Sequence, residues 1–223
     1  CFLIDVSDKS LRSSLEKLGE GHFGKVLDIT DPEAAKEAIQ SVVEAFGGVD
    51  ILISNAGSAK QGSITDLDIK VVRDSFEVNF FAHYEFAKAF AKVLKLQDRG
   101  GQILFNISKQ AVNPGKNFGA YGLPKATTMF LMRQLALELG SENIRVNGVN
   151  ADRIRSGLLT DEYISQRADA RGVSEDRYMA GNLLNKEVMA SHVADAFVAL
   201  ACSVRTTGHV MTVDGGNIEA SLR

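Results

Sequence analysis

Tyr121 and Lys125 lie four positions apart in the stretch AYGLPKA, a spacing that puts two side chains one turn apart on one face of an α-helix. A free phenol, with a pKa near 10, is a poor base at neutral pH. A nearby ammonium favours the phenolate and lowers that pKa, so the pair could exchange a proton with a substrate oxygen. Taken alone, the same two residues also fit a half-buried tyrosine beside a solvated lysine. The elements that position them must decide.

Short apolar runs alternate with longer amphipathic segments. Strands are expected at 2–6, 23–29, 50–55, 101–107, 144–150 and 209–215, and helices near 8–18, 31–46, 66–97, 119–140 and 190–201. Asp31 and Pro32 read as the N-cap and first residue of the second helix, and Gly47-Gly48 as its end. Pro124 is tolerated only near a helix start, which places the start of the Tyr121 helix between Asn117 and Gly119. This alternation predicts one domain of α/β class, a Rossmann-like, doubly wound parallel sheet. Residues 157–189 break the rhythm with charges and short helical signals, and their place beyond a strand end predicts a substrate lid.

Ligands on such sheets bind at the C-terminal ends of the strands. Those ends carry Asp5, Asp28, the run Ser54-Asn55-Ala56-Gly57, Ser108, and Asn150 followed by Asp152, Arg153 and Arg155. Any one of them could be a turn residue; together they mark a site.

The composition narrows the function classes. Net charge is −3 and no Lys/Arg block occurs, which argues against a general nucleic-acid surface. No apolar run reaches the roughly 18 residues of a membrane span. Cys1 and Cys202 are too few for a disulfide framework, so a reducing, cytoplasmic setting is expected. His22, His83, His192 and His209 are scattered; no metal site is expected, and a metal-dependent aldolase within this segment is poorly supported.

The ordered pieces LDITD (27–31), SNAG (54–57), Asn79 in FEVNFFAHY, NIS (106–108), YGLPK (121–125), RVNGVN (145–150) and VDGG (213–216) resemble the short-chain dehydrogenase/reductase family across essentially the whole chain, with Tyr121 13 positions after Ser108. The resemblance implies an oxidoreductase moving a hydride between NAD(H) and a small alcohol or carbonyl compound. Tyr121 would be the acid/base. Lys125 would lower its pKa and bond the nicotinamide ribose. Ser108 would orient the substrate oxygen, and a helical bend at Asn79 would hold a water in the proton relay. Asp5 would meet the adenosine ribose hydroxyls and repel the extra phosphate of NADP, so NAD is favoured. Asp28 would contact the adenine edge, and Asn55, Ala56 and Gly57 the adenosine ribose. Ile154 would meet the carboxamide through its backbone, with Ser156 on the cofactor amide and phosphate. The family also associates through helices corresponding to 66–97 and 119–140 and its C-terminal strand, which implies a homodimer or homotetramer. A non-catalytic nucleotide sensor or scaffold on the same fold is the alternative.

Two departures from the family pattern follow. The Gly-rich turn that binds pyrophosphate at a helix N-terminus is absent. The first visible strand then corresponds to the second in the order 3-2-1-4-5-6-7, and the missing strand is central. Its loss would leave two rows of backbone groups unpaired, so the chain is expected to be a piece of a longer polypeptide. The usual Asn-Pro-Gly also reads Asn150-Ala151-Asp152. Arg153 and Arg155 would then stand at the mouth of the site, either solvated or attracting an anionic group. Finally, NADRIRSGLLTDEY and the ending TVDGGNIEASLR resemble the dehydrogenase half of bacterial bifunctional proteins in which a sugar-phosphate aldolase comes first. These are associated with rhamnulose-1-phosphate cleavage and lactaldehyde oxidation, which implies a small hydroxy-aldehyde substrate and a fused N-terminal aldolase domain.

Overall fold

The fourth strand, β4 (Gly101–Asn106), sets the centre of the molecule, because successive strand residues face opposite sides of the sheet. On one face Ile103 and Phe105 pack with Phe90, Leu94 and Met132 from α4 (Ala82–Gln97) and α5 (Gly119–Leu139). On the other, Leu104 packs with Val193, Phe197 and Leu200 from α8 (Ala190–Cys202). Both faces are covered, as nearly continuous apolar strands require. The computed structural model describes residues 1–217; residues 218–223, part of the ending used in the comparison above, lie outside the described residues.

β3 (Ile51–Ser54), β4, β5 (Ile144–Ala151) and β6 (Val210–Val213) form a four-stranded sheet in that order, all parallel. β1 (Phe2–Asp5) and β2 (Phe23–Val26) pair in parallel as a separate two-stranded sheet, with α1 (Asp8–Leu18) crossing between them. The break falls where the expected order places the strand that the sequence lacks. Ile51 and Ile53 are 47% and 53% exposed along β3, whose strand partner among the described residues is β4 alone. The two sheets share an apolar cluster in which Ile4 and Leu52 pack on Leu27, Ala35, Ala38 and Phe86, joining α2 (Ala34–Phe46) to α4.

Several boundaries differ from expectation, each for a local reason. β2 stops at Val26 because Asp28 heads a turn, its Oδ1 accepting from Thr30 N and Oγ1 at 2.9 and 2.7 Å. Asp31 and Pro32 do not open α2. The Asp31 carboxylate accepts from Glu33 N at 2.8 Å and its carbonyl from Ala34 N, forming a turn that precedes the helix. Gly47 ends α2 in the left-handed region (φ +77°), as expected. The long stretch 66–97 is not one helix: α3 (Ile69–Phe76) leads into a π-helical turn at Glu77–Phe81 before α4. α5 begins at Gly119, within the expected window.

Residues 157–189 form an ordered excursion. α6 (Asp161–Asp169) and α7 (Glu175–Met179) are capped by the Thr160 and Ser174 side chains, and Ile164, Ala168, Tyr178 and Met179 make a small core of their own. Among the described residues no helix is long and apolar enough to cross a membrane.

Candidate active site

Helix α5 carries Tyr121 and Lys125 past the C-terminal end of β4. The Lys125 ammonium is buried and donates to the carbonyl oxygen of Asn106, the last residue of that strand, at 2.9 Å. Its Nζ lies 5.8 Å from the centre of the Tyr121 ring. Burial depresses the Lys125 pKa to about 8, because a low-polarity setting disfavours the charged form. The expected lysine-lowered phenol is not what this arrangement gives. Burial, the larger effect, pushes the Tyr121 pKa up, while the nearby Ser108 hydroxyl acts in the opposite direction.

Ser108 lies two residues beyond β4 and caps the short 3-10 turn Lys109–Ala111, its Oγ accepting from Gln110 N at 3.2 Å. Ser108, Tyr121 and Lys125 are thus brought together as the spacing suggested. Asn79 joins them from the π-helical turn, fully buried. Its Nδ2 donates to Ser58 O at 2.8 Å and Ser75 O at 3.0 Å, and its own carbonyl accepts from Thr128 Oγ1 at 2.7 Å. The bend expected at Asn79 is therefore present, and it pins the loop after β3 to α5. Gly57 in that loop must be a glycine: a Cβ there would come within 2.9 Å of Asn79 Oδ1 and 3.8 Å of Lys125 Nζ.

Two residues in this cluster lay outside the predicted set. Asn106 holds Lys125 through its carbonyl and Asn55 through a 2.7 Å side-chain bond to Oδ1. His83, dismissed in the sequence because no metal spacing surrounds it, is buried with Nδ1 2.5 Å from Ser54 Oγ. Its position four residues after Asn79 on a helix was the available signal. Burial first, and then the charge on Lys125, push its pKa down to about 3, against a smaller raising effect from the Ala56 backbone. His83 stays neutral in the fold while the unfolded chain takes up a proton below about 6.5. Stability is therefore present above pH 6.5 and lost as pH falls toward 3, by an amount on the order of a few kcal/mol. Urea unfolding of His83→Gln at pH 7 and pH 4.5 should show a smaller acid loss than the parent; an identical loss would contradict this.

The remaining residues occupy the other strand ends. Asp5 closes β1, its Oδ1 accepting from Ser7 N at 2.7 Å while Ser7 caps α1. Hydrogen bonds from Thr30 hold the Asp28 carboxyl below the usual range. Ile154 packs at the margin of the β5–α8 cluster. The Ser156 Oγ accepts from Leu158 N and Leu159 N at 3.3 and 3.4 Å, closing a turn. Arg153 is largely buried and Arg155 is exposed, and the partners of both lie within the protein. Arg153 donates to Tyr178 O at 2.6 Å, and Arg155 pairs with Glu187 at 2.8 Å and Asp161 at 2.5 Å, so both tie the excursion to the loop after β5.

The donors present suit both nucleoside ends of a nicotinamide dinucleotide. The Asn106 bond uses one of the three hydrogens on Lys125, Gly57 leaves space beside it, and the exposed Asp5 has its second oxygen outside the Ser7 bond. Among the described residues no group of three or more His, Cys, Asp or Glu side chains could hold a metal ion.

Comparison with known proteins agrees with this architecture. Residues 2–217 match a family profile described as enoyl-(acyl carrier protein) reductase. An uncharacterized oxidoreductase, YuxG of Bacillus subtilis, is 32% identical over 198 residues; the match covers 85% of this chain but only 29% of the Bacillus protein. An L-rhamnose 1-dehydrogenase (NAD(P)(+)) from a Sphingomonas species is 31% identical over 208 residues, covering 93% of this chain and 80% of that protein. Among solved structures, carveol dehydrogenase from Mycobacterium avium in complex with NAD superposes with a TM-score of 0.89 at 25% identity, covering 97% of this chain and 87% of the other.

Proposed function

The chain belongs to the short-chain dehydrogenase/reductase family, and from that premise we propose that it is an oxidoreductase transferring a hydride between NAD(H) and a small alcohol or carbonyl compound. The observation that carries this is the geometry at α5: a buried ammonium held by the Asn106 carbonyl with its Nζ 5.8 Å from the centre of the Tyr121 ring. Tyr121, Ser108, Lys125 and Asn79 are the proposed catalytic group. Asp5, Asp28, Asn55, Ala56, Gly57, Ile154 and Ser156, together with Tyr121 and Lys125, are the proposed cofactor contacts.

When bound, the nicotinamide ring supplies or accepts the hydride. The rest falls to the protein. Ser108 and Tyr121, near enough for the hydroxyl to act on the phenol, can both donate to one substrate oxygen, which orients it and stabilises charge developing there. Burial keeps the phenol protonated, so in carbonyl reduction Tyr121 has a proton to give as the oxygen becomes an alkoxide. The phenolate left behind is stabilised by the Lys125 ammonium, and the steps reverse for alcohol oxidation. The Asn106 carbonyl keeps the ammonium in place, and the absence of a side chain at Gly57 leaves space beside it.

Asp5 supports NAD over NADP, because a carboxylate fixed at the strand end repels a second negative group. Asp5→Ser should lower the NAD/NADP preference, measured as the ratio of kcat/KM values, by about 10- to 100-fold, or roughly 1.4–2.8 kcal/mol; an unchanged ratio would contradict this role. A polyol, sugar or hydroxy-aldehyde such as lactaldehyde is the proposed substrate class, and the rhamnose dehydrogenase relative supports it. Exposed Phe130 and Leu137 on α5, with Phe81 and Tyr84 beside α4, support self-association as a homodimer or homotetramer. A fused N-terminal aldolase domain stays a proposal from the sequence resemblance.

The test is NADH formation or consumption with a panel of small alcohols, sugars and aldehydes. NAD binding without turnover across that panel would favour a nucleotide sensor instead.

A further inference from the structure

Lys109 follows Ser108 in the chain, and Asp152 follows the last residue of β5. Because β4 and β5 are paired neighbours, these two loops leave the sheet side by side. The Lys109 and Asp152 side chains are only 14% and 10% exposed, and Nζ stands 3.1 Å from Oδ2. The same carboxylate oxygen accepts from Asn217 Nδ2 at 2.6 Å and lies 3.4 Å from Arg153 Nε. Arg153 continues the chain of contacts into the excursion, donating to Tyr178 O at 2.6 Å with its guanidinium 4.8 Å from the Tyr178 ring centre. Gly181 makes room for it, since a Cβ there would come within 2.7 Å of the guanidinium. One carboxylate therefore joins the turn that holds Ser108, the loop leading to Ile154, the 157–189 excursion and Asn217.

A buried ion pair seldom stabilises a fold more than apolar side chains of the same volume would. Stability alone gives no reason for Asp152 here; its connections do. We propose that Lys109 and Asp152 are a positioning pair that makes placement of the Ser108 hydroxyl and docking of the 157–189 lid a single event. Lys109 opens the 3-10 turn that Ser108 caps, so releasing Lys109 lets that cap rotate, and releasing Asp152 frees Arg153 and with it Tyr178. The inference rests on Ser108 orienting the substrate. It adds that the lid controls Ser108.

The test compares the intact protein with Lys109→Met, Asp152→Asn and the double variant Lys109→Met/Asp152→Leu. The double variant replaces both charges by apolar groups and so guards against a misfolded single variant. Three quantities are read: kcat and KM, the urea unfolding midpoint, and the rate of tryptic cleavage at Arg167, Arg171 and Arg177 in the lid. The expected result is a double variant that still unfolds cooperatively, with kcat lowered and lid cleavage accelerated by at least about tenfold each. Its KM for NADH should stay within about twofold, and each folded single variant should match the double, because the two residues act as one unit. A double variant with parental kcat and parental cleavage would overturn the proposal, as would a loosened lid with unchanged kcat. If the parent turns over none of the alcohols and carbonyls, the oxidoreductase reading fails on its own account. The cleavage rates alone then decide whether the pair holds the lid.

Discussion

Tyr121→Phe is expected to lower kcat by about 10³-fold, within the 10² to 10⁴ range for a lost general acid/base, while NADH affinity stays within about twofold. The substitution removes one oxygen and leaves the ring that stands beside Lys125. The structural cost is at most a weak interaction with Ser108, too little to unfold a domain of this size. Loss of turnover with retained binding and an unchanged unfolding midpoint would therefore isolate the proton transfer. Equal turnover by both proteins would remove Tyr121 from that role.

Lys125→Met separates activity from stability more sharply. The ammonium is proposed both to stabilise the Tyr121 phenolate and to bond the nicotinamide ribose, so kcat should fall at least about 10²-fold and NADH binding should weaken. Stability should behave differently. Depression of the lysine pKa from 10.5 to about 8 corresponds to about 3 kcal/mol of disfavoured charge. Against this, the variant leaves the Asn106 carbonyl without its donor, at about 1–3 kcal/mol. The two nearly cancel at pH 7, so the variant should unfold close to the parent. The sign of the pH dependence follows from the same shift. Both states of the parent are protonated below pH 8, and between 8 and 10.5 the fold sheds the proton first. The disfavoured charge then disappears, and the parent gains stability relative to the methionine variant as pH rises through that window. Unfolding midpoints at pH 7 and pH 10 measure this; a gap that moves the other way would mean that Lys125 is not held as a strained cation.

The alternation of elements was legible because helix and strand periods differ so strongly, and Ser108, Tyr121 and Lys125 were legible because their spacing is local. What escaped was set by side chains meeting far apart in sequence or by turn chemistry. Asp28 and Asp31 were read as strand and helix residues, yet each carboxylate closes a turn on an amide two residues on. The π-helical turn at Glu77–Phe81 left no mark on the apolar pattern, and only the family resemblance pointed to a bend at Asn79. Arg153 and Arg155 read as solvated or anion-attracting because their partners, Tyr178 for Arg153 and Asp161 and Glu187 for Arg155, follow up to 32 residues later. Lys109 and Asp152 are 43 positions apart and meet only because β4 and β5 are neighbours. The break between β1 and β3, by contrast, was predictable from strand order alone.

The account stands or falls on hydride transfer, and isotope transfer reads it directly. NADH deuterated at C4 of the nicotinamide is incubated with a panel of small aldehydes, ketoses and hydroxy-ketones, and the products are examined by mass spectrometry. The predicted result is one deuterium on the carbinol carbon of at least one product, lost in the Tyr121→Phe protein. NADH that binds while no product from any of these carbonyl compounds gains deuterium would contradict it.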